Sequence, residues 1–143
     1  MLEVTSILHL IKPKDLNHHG TLFAGQMAKW LVEAGLIAAS RLIGKPGDIV
    51  CVRLDSMIFK KPVKNGNLVE IKSRIAFLGT SSITVHSQVF LKNDTVPLVS
   101  SMATFVTVDR HNRPYEHGFK LSEEYIAENR DIYTEALNGR EAK

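Results

Sequence analysis

Polar and apolar residues change their spacing at defined points along the chain. From Thr21 to about Leu42, apolar residues recur every three or four positions, which predicts one long helix with a continuous apolar face. Residues 2–11 alternate loosely and predict a strand, or a strand with a bend. After residue 48 the alternation is typical of antiparallel strands with one buried face. The four runs that show it are 49–59, 68–78, 82–92 and 97–108.

Capping and turn residues stand near the ends of these elements. Thr21 is placed to cap the long helix, and the sequence Gly-Lys-Pro-Gly at 44–47 predicts its end. A C-terminal helix is predicted from Ser122, its cap, to Leu137, followed by a frayed polar tail, so that 122–143 is helix and tail. No repeat or linker interrupts the chain, and we expect residues 1–143 to form a single domain.

The order of the elements favours one architecture. A long helix with a full apolar face must be covered, and the sheet is the only large surface available to it. We therefore expect an α+β fold in which an antiparallel sheet of about five strands wraps around one long central helix, with a further helix at the C-terminus. Five strands leave two unpaired edges, which favours pairing with a second copy.

Composition and charge exclude several classes of protein. The 143 residues include 18 Lys and Arg against 15 Asp and Glu, and a net charge of +3 does not indicate nucleic-acid binding. No apolar stretch approaches the roughly 20 residues of a membrane helix, and Glu3 stands where a signal peptide would be basic. The single cysteine, Cys51, cannot form an internal disulfide, and its strand predicts that it is buried. We expect a protein of the reducing cytoplasm.

Several familiar sites are excluded by spacing. His18 and His19 are adjacent, but no further ligand completes a metal site, so solvated loop histidines are favoured and no metal is expected. Gly20 and Gly25 have the spacing of a phosphate-binding loop, yet glutamine and methionine replace its lysine and hydroxyl residue. No nucleophile elbow of the form Gly-x-Ser-x-Gly occurs.

The segment from Asn17 to Gly25 could support chemistry. It is a glycine-containing loop that leads into the start of a helix, where the first backbone amides lack partners and carry the positive end of the dipole. Such amides can stabilise the oxyanion formed when a thioester carbonyl is attacked. The small Ala24 and Gly25 would admit a substrate, and Asn17 could orient water or polarise the carbonyl. The alternative is that Asn17 and Gly20 are ordinary turn residues.

The run LNHHGTLFAGQMAKWLVEA, residues 16–34, resembles the hot-dog fold acyl-coenzyme A thioesterases, whose loop typically reads Asn-x-x-Gly-x-Leu-Phe-Gly-Gly. The resemblance continues at 52–59, 61–63, 79–82 and 103–109, and covers roughly residues 5–115. It implies a hot-dog domain that dimerises through its sheets, often as a trimer of dimers, with active sites at the dimer interface. It also implies hydrolysis of acyl-coenzyme A, with coenzyme A as part of the substrate and no separate cofactor.

The resemblance assigns roles to individual residues. Asn17 and Gly25 would be catalytic, and the substrate would lie against Gly20, Phe23 and Ala24. Alanine 24 replaces the first glycine of the family's pair and is small enough to be tolerated. The turn residues Gly79, Thr80, Ser81 and Ser82 would approach the pantetheine or nucleotide portion.

Basic residues fit a coenzyme A partner. They could hold the phosphates through charge-assisted contacts, or form a solvated surface. The residues concerned are Arg53, Lys60, Lys61, Lys64, Lys72 and Arg74, with Arg53 and Lys61 as the substrate-binding candidates.

Val32 stands where the family has its catalytic aspartate. Glu33 is the candidate carboxylate, although successive helical residues lie about 100° apart, so it points elsewhere unless the helix is locally rotated. An ion pair with Lys29 on the polar face would equally explain Glu33. A carboxylate such as Asp15 or Asp55 could also reach the site from elsewhere.

Three hypotheses follow from these residues. The leading one is a homo-oligomeric thioesterase that hydrolyses acyl-coenzyme A, with a non-enzymatic binding protein for an acyl thioester or coenzyme A as the alternative. If the chain is such a binding protein, the valine at position 32 explains why hydrolysis is lost. A hot-dog dehydratase is disfavoured, because nothing on the central helix supplies the histidine that this chemistry needs.

Overall fold

The computed structural model describes residues 2–141, and within them the strands form one five-stranded antiparallel sheet. Its order is β1-β3-β4-β5-β2, which leaves β1 and β2 as the edges. The strands are β1 (Thr5–Leu10), β2 (Ile49–Phe59), β3 (Leu68–Leu78), β4 (Ser82–Leu91) and β5 (Val99–Thr107). The predicted runs 49–59 and 68–78 are confirmed to the residue, and the others differ at their ends by at most three residues.

The long helix α1 (Ala24–Ile43) packs on one face of this sheet, as predicted. It begins later than its pattern predicts, and Thr21 is not its cap. Phe23 occupies the capping position without a side-chain hydrogen bond, while the hydroxyl of Thr21 accepts a hydrogen bond from the Asn17 side chain (3.1 Å). Gly44 ends the helix in the left-handed conformation at a φ of 77°, as predicted.

The core lies between α1 and the sheet. One cluster surrounds Met27, Trp30 and Leu31 in the first half of the helix. A second cluster lies at Ala38 and Ala39 in the other half. Within residues 2–141, none of the helices is long and apolar enough to cross a lipid bilayer.

Gly35 of α1 packs closely against Phe105 of β5. A Cβ added there would lie 2.9 Å from two ring carbons of Phe105, whose side chain is fully buried. We therefore expect Gly35→Ala to destabilise the protein by about 1–3 kcal/mol through overpacking, despite the better helix propensity of alanine. Chemical unfolding in urea measures this change.

Gly139 provides the matched control for Gly35. At this helical position an added Cβ meets no atom of the described residues within 4 Å, so Gly139→Ala should be neutral or stabilise the protein by about 0.5–1 kcal/mol. Equal shifts in the urea midpoint for the two variants would contradict the packing argument.

The C-terminal segment forms two helices where one is predicted. These are α2 (Glu123–Glu128) and α3 (Arg130–Glu141). Ser122 caps α2 as predicted, with its hydroxyl accepting the amide of Tyr125 at 3.1 Å. The predicted tail begins too early, since α3 continues past Leu137, and residues 142–143 of that tail lie outside the described part of the chain.

The break between the two helices falls on a buried residue, Asn129. Its Oδ1 accepts a hydrogen bond from Nη1 of Arg74 on β3 (2.8 Å), and its Nδ2 donates to the carbonyl of Tyr125 (3.0 Å). From there α3 packs on the outer face of the sheet, the face away from α1, where Ile132 and Ala136 contact the sheet residues.

The edge strand β2 is irregular and exposed. Its register with β5 shifts twice, and Ser56 adopts a positive φ of 29°. Its apolar residues at 50, 52, 54 and 58 are between 36 and 58 % exposed. Cys51 is also exposed, so the prediction that it is buried is wrong. Its strand lies at the edge of the sheet and is less buried than its apolar pattern suggests. An apolar edge of this length is a template for pairing.

Candidate active site

Asp15 anchors the loop that leads into α1. Only 2 % of it is exposed, and its carboxylate accepts hydrogen bonds from the amide of Lys12 and from Nε2 of Gln26, each at 2.9 Å. Its carbonyl accepts the amide of Phe23 (2.9 Å). The bond from Lys12, and then that from Gln26, hold the pKa of the Asp15 carboxyl below its usual value. The carboxylate is thus engaged within the loop.

Asn17 closes the turn that follows. Its Oδ1 accepts the amides of His19 (2.8 Å) and Thr21 (3.2 Å). Its backbone carbonyl accepts the amide of Gly20 (3.1 Å), which has a φ of 77°. A side chain bonded to nearby amides in this way is typical of turn asparagines. Asn17 and Gly20 thus form a turn, and a chemical role for Asn17 stays a prediction.

The first turn of α1 presents two backbone amides. The amide of Phe23 is bonded to Asp15, so it does not belong to the predicted set of unpaired donors. Among the described residues no acceptor contacts the amides of Ala24 and Gly25. The positive end of the helix dipole lies at the same point. These two donors are the ones able to receive an oxyanion.

The ring of Phe23 covers Gly25. Phe23 is 56 % exposed, and a Cβ at Gly25 would collide with its ring. Glycine is thus required at residue 25 for this ring position, which explains part of the loop pattern in steric terms.

A groove of about 360 Å³ lies between this loop and the end of β2, where the amide of Leu22 donates to the carbonyl of Val63 (2.8 Å). Of the predicted site residues, Asn17, Ala24 and Lys61 line the groove. Gly20, Phe23 and Gly25 are close to these lining residues in the sequence. The residues that sequence reasoning missed are Thr21, Leu22, Phe59, Pro62 and Val63. Lys60 and Lys61 make the lining basic, and none of the described residues that line the groove carries a carboxylate.

The remaining predicted binding residues lie in a different place. Arg53, Thr80, Ser81 and Ser82 line a cavity of about 800 Å³ on the outer face of the sheet, bordered by α3. Gly79 adjoins it, with its amide bonded to the carbonyl of Ser82 (3.0 Å). Within one chain, the predicted substrate-binding residues therefore form two separate groups.

Glu33 belongs to neither group. It is exposed, and its charge opposes the lowering of the pKa of His9 by burial. The ring of His9 stacks on Trp30 with the centroids 4.1 Å apart. Val32 is half-buried and packs with the second core cluster. Glu33 and Val32 thus have different neighbours, as the 100° step of a helix requires.

The other two acidic candidates are also engaged elsewhere. Asp15 is bonded within its loop, and Asp55 forms an ion pair with Arg53 in the outer-face cavity. Within residues 2–141 of a single copy, the groove therefore offers amide donors and positive charge but no carboxylate base.

Comparison with known proteins shows which family the chain matches. Residues 19–98, more than half of the chain, match the family model described as the thioesterase superfamily. YkhA of Bacillus subtilis, described as an uncharacterized acyl-CoA thioester hydrolase, is 29 % identical over 106 residues. The match covers 71 % of this chain and 60 % of YkhA, so the chain spans less than two thirds of that relative.

Solved structures confirm the fold. The acyl-CoA hydrolase of Staphylococcus aureus, in complex with butyryl coenzyme A, coenzyme A and coenzyme A disulfide, has a TM-score of 0.81 at 25 % identity. The match covers 97 % of this chain and 87 % of that one. The hexameric thioesterase y2039 of Yersinia pestis has a TM-score of 0.72 at 31 % identity, covering 80 % and 93 %. The predicted α+β hot-dog arrangement is confirmed.

Proposed function

The chain belongs to the thioesterase superfamily, and from this premise we propose that its single hot-dog domain hydrolyses acyl-coenzyme A thioesters to the free acid and coenzyme A. The observation that carries the proposal is the pair of unbonded amides at Ala24 and Gly25, beside a basic groove that Asn17 and Ala24 line. The substrates named for YkhA and for the S. aureus hydrolase support the choice of acyl-coenzyme A.

The chemistry follows from this geometry. Water attacks the carbonyl carbon, the carbon–sulfur bond breaks, and the thiolate of coenzyme A takes up a proton. The two amides would stabilise the negative charge that develops on the carbonyl oxygen, because the loop fixes them before the reaction begins. Lys60 and Lys61 would attract the phosphates of the coenzyme.

We propose that the working site is completed by a second copy. The two groups of binding residues lie apart in one chain, and the exposed apolar edge of β2 suits pairing between copies. A homodimer, further assembled into a trimer of dimers, would agree with the hexamer of the Y. pestis thioesterase. We also propose a cytoplasmic location, since the lone Cys51 cannot form an internal disulfide.

The direct test is a panel of acyl-coenzyme A substrates of increasing chain length, with thiol release followed by a colour reagent. Turnover above the uncatalysed rate for at least one chain length is expected. Rates equal to background for every substrate would refute hydrolysis.

The absence of a carboxylate from the groove of the described chain, together with Val32, favours one alternative function. This is a protein that binds acyl-coenzyme A or coenzyme A without hydrolysing it. A ligand that binds only the native state raises apparent thermal stability. Stabilisation by coenzyme A without turnover of any substrate would establish the alternative.

We propose Glu33 as the general base, acting across the interface between copies, because it is the only acidic residue of α1 and is exposed. Glu33→Gln should then lower kcat at least tenfold with little change in KM, and remove the acid limb of the pH–kcat profile. Glu128→Gln, an exposed acid on α2, is the matched control and should leave kcat unchanged. Full activity of Glu33→Gln would exclude Glu33 and leave hydrolysis intact.

A further inference from the structure

Exposed lysines gather at the end of the molecule where the groove beside Asn17 lies. They belong to two segments, residues 11–23 and 59–67, which hold five of the 18 Lys and Arg of the chain but only one of its 15 Asp and Glu. All five lysine side chains are exposed. We call this surface the basic face, and its lysines are Lys12, Lys14, Lys60, Lys61 and Lys64.

Backbone pairing holds the two segments side by side. The amide of Ile11 donates to the carbonyl of Asn67, and the amide of Gly66 donates to the carbonyl of Ile11, each at 2.9 Å. Further along, Thr21 and Lys64 form an antiparallel bridge. Lysines that are far apart in the chain are thus fixed on one surface.

The charge of the basic face is not neutralised by the protein. Within residues 2–139, none of the five lysines forms an ion pair with a carboxylate. The one acid of the two segments, Asp15, is 2 % exposed and accepts two hydrogen bonds inside its loop. Like charges held close together repel one another, and an anionic partner from outside relieves this repulsion.

The proposed function accounts for only two of these lysines. Lys60 and Lys61 line the groove, where they would attract the phosphates of coenzyme A. Lys12, Lys14 and Lys64 do not belong to that lining. A coenzyme bound in the groove therefore leaves three lysines of the basic face to a second, broader anionic surface.

An exposed aromatic ring stands on the same face. The amide of Phe23 donates to the carbonyl of Asp15 (2.9 Å), and Phe23 is 56 % exposed. Aromatic side chains beside lysines suit a lipid surface, because the ring enters the acyl boundary while the ammonium groups remain among the headgroups. A purely polar polyanion would bind the lysines and leave the ring in water. The ring therefore favours a bilayer.

We propose that the basic face docks this protein on an anionic lipid bilayer, with the lysines against the headgroups and the ring of Phe23 at the acyl boundary. The contact is peripheral, and it does not depend on hydrolysis. What rests on the proposed function is its consequence: docking would bring the groove to the surface into which long acyl chains partition.

Sedimentation with lipid vesicles tests the docking. The wild-type protein, without substrate, is mixed with vesicles of phosphatidylcholine alone or of equal parts of phosphatidylcholine and phosphatidylglycerol. We expect binding to the anionic vesicles and none to the neutral ones. Raising the salt concentration should release the protein, because salt screens the attraction between exposed charges.

A triple variant removes the three lysines that the groove does not use. Lys12→Gln, Lys14→Gln and Lys64→Gln together should weaken binding to the anionic vesicles about a hundredfold, since one lysine near an anionic surface strengthens binding about fivefold. The matched control loses the same charge from exposed residues outside the basic face, and should bind nearly as the wild type does. Its substitutions are Lys45→Gln, Arg110→Gln and Lys120→Gln.

Phe23→Ala tests the apolar part of the contact. It should weaken binding to the anionic vesicles several-fold and leave the salt dependence unchanged, because it removes apolar surface and no charge. Unchanged binding of this variant would overturn the assignment of the ring to the bilayer.

The remaining outcomes decide between partners and between proposals. No binding to the anionic vesicles overturns the inference, and so does equal binding to both kinds of vesicle or a triple variant that binds like its control. Poly-glutamate is the probe for an acidic protein: wild-type binding to it and not to the vesicles would assign the face to such a partner and overturn the bilayer. Vesicle binding without hydrolysis refutes the proposed function and leaves the docking surface; hydrolysis without vesicle binding does the reverse.

Discussion

Replacing Asp15 with alanine should lower the free energy of unfolding by about 2–4 kcal/mol, because two hydrogen bonds to a buried carboxylate disappear together. The amide of Lys12 and the side-chain amide of Gln26 would both lose their acceptor, each now at 2.9 Å. These bonds tie the loop to the first turn of α1, so the variant should also lose much of the proposed thioesterase activity. Urea unfolding at neutral pH measures the change in stability.

Asp15→Asn is the informative control. It keeps one acceptor oxygen but can satisfy only one of the two donors, so its stability should lie between those of the wild type and Asp15→Ala. An alanine variant as stable as the wild type would show that solvent replaces both bonds at no cost, contrary to the burial of this side chain.

The stabilities of the wild type and of Asp15→Ala should depend differently on pH, because the pKa of Asp15 is lowered in the folded protein. A carboxyl whose pKa is lower in the folded state than its ordinary 3.8 contributes stability that is complete above that value. The contribution is lost as the pH falls through the lower, folded value. The difference in unfolding free energy between wild type and Asp15→Ala should therefore be large at pH 7 and shrink below about pH 4.

The strands were predictable because their signal is local. Alternation in β3 places Val69, Ile71 and Ile75 on the buried face, and each is at most 3 % exposed. The start of α1 was not predictable in the same way. Thr21 has the side chain of a cap, but Asn17 recruits its hydroxyl, and Phe23 takes the capping position without a polar side chain. Whether the Thr21 hydroxyl caps the helix or bonds to Asn17 is decided by the folded loop and not by the local sequence.

Only one wall of the candidate site could be predicted from the sequence. Turn residues and a helix start are visible in residues 17–25, but the opposite wall depends on the pairing of Leu22 with Val63, 41 positions later. Similarly, His86 shows only its polar neighbours in an alternating strand. It lies in the cavity that α3 borders, and no local pattern encodes the packing of α3 on the outer face.

Asn17→Ala should lower kcat about a hundredfold, because the loop that fixes the proposed oxyanion donors, the amides of Ala24 and Gly25, loses its anchor. Alanine removes the acceptor for the amides of His19 and Thr21, and it removes a polar side chain from the lining of the groove. The loop that aims the amides of Ala24 and Gly25 would loosen, so thermal stability should fall as well. Steady-state kinetics with the best acyl-coenzyme A substrate give the change in kcat.

Asn17→Asp separates the two roles of this side chain. Aspartate keeps the oxygen that both amides need, so the loop and the melting temperature should return close to those of the wild type. It brings a negative charge to the place where the reaction itself develops one, so kcat should stay low. If aspartate restores kcat together with stability, Asn17 acts only by positioning the loop and does not touch the substrate. Unchanged kcat in Asn17→Ala would mean that the reaction takes place away from this end of α1.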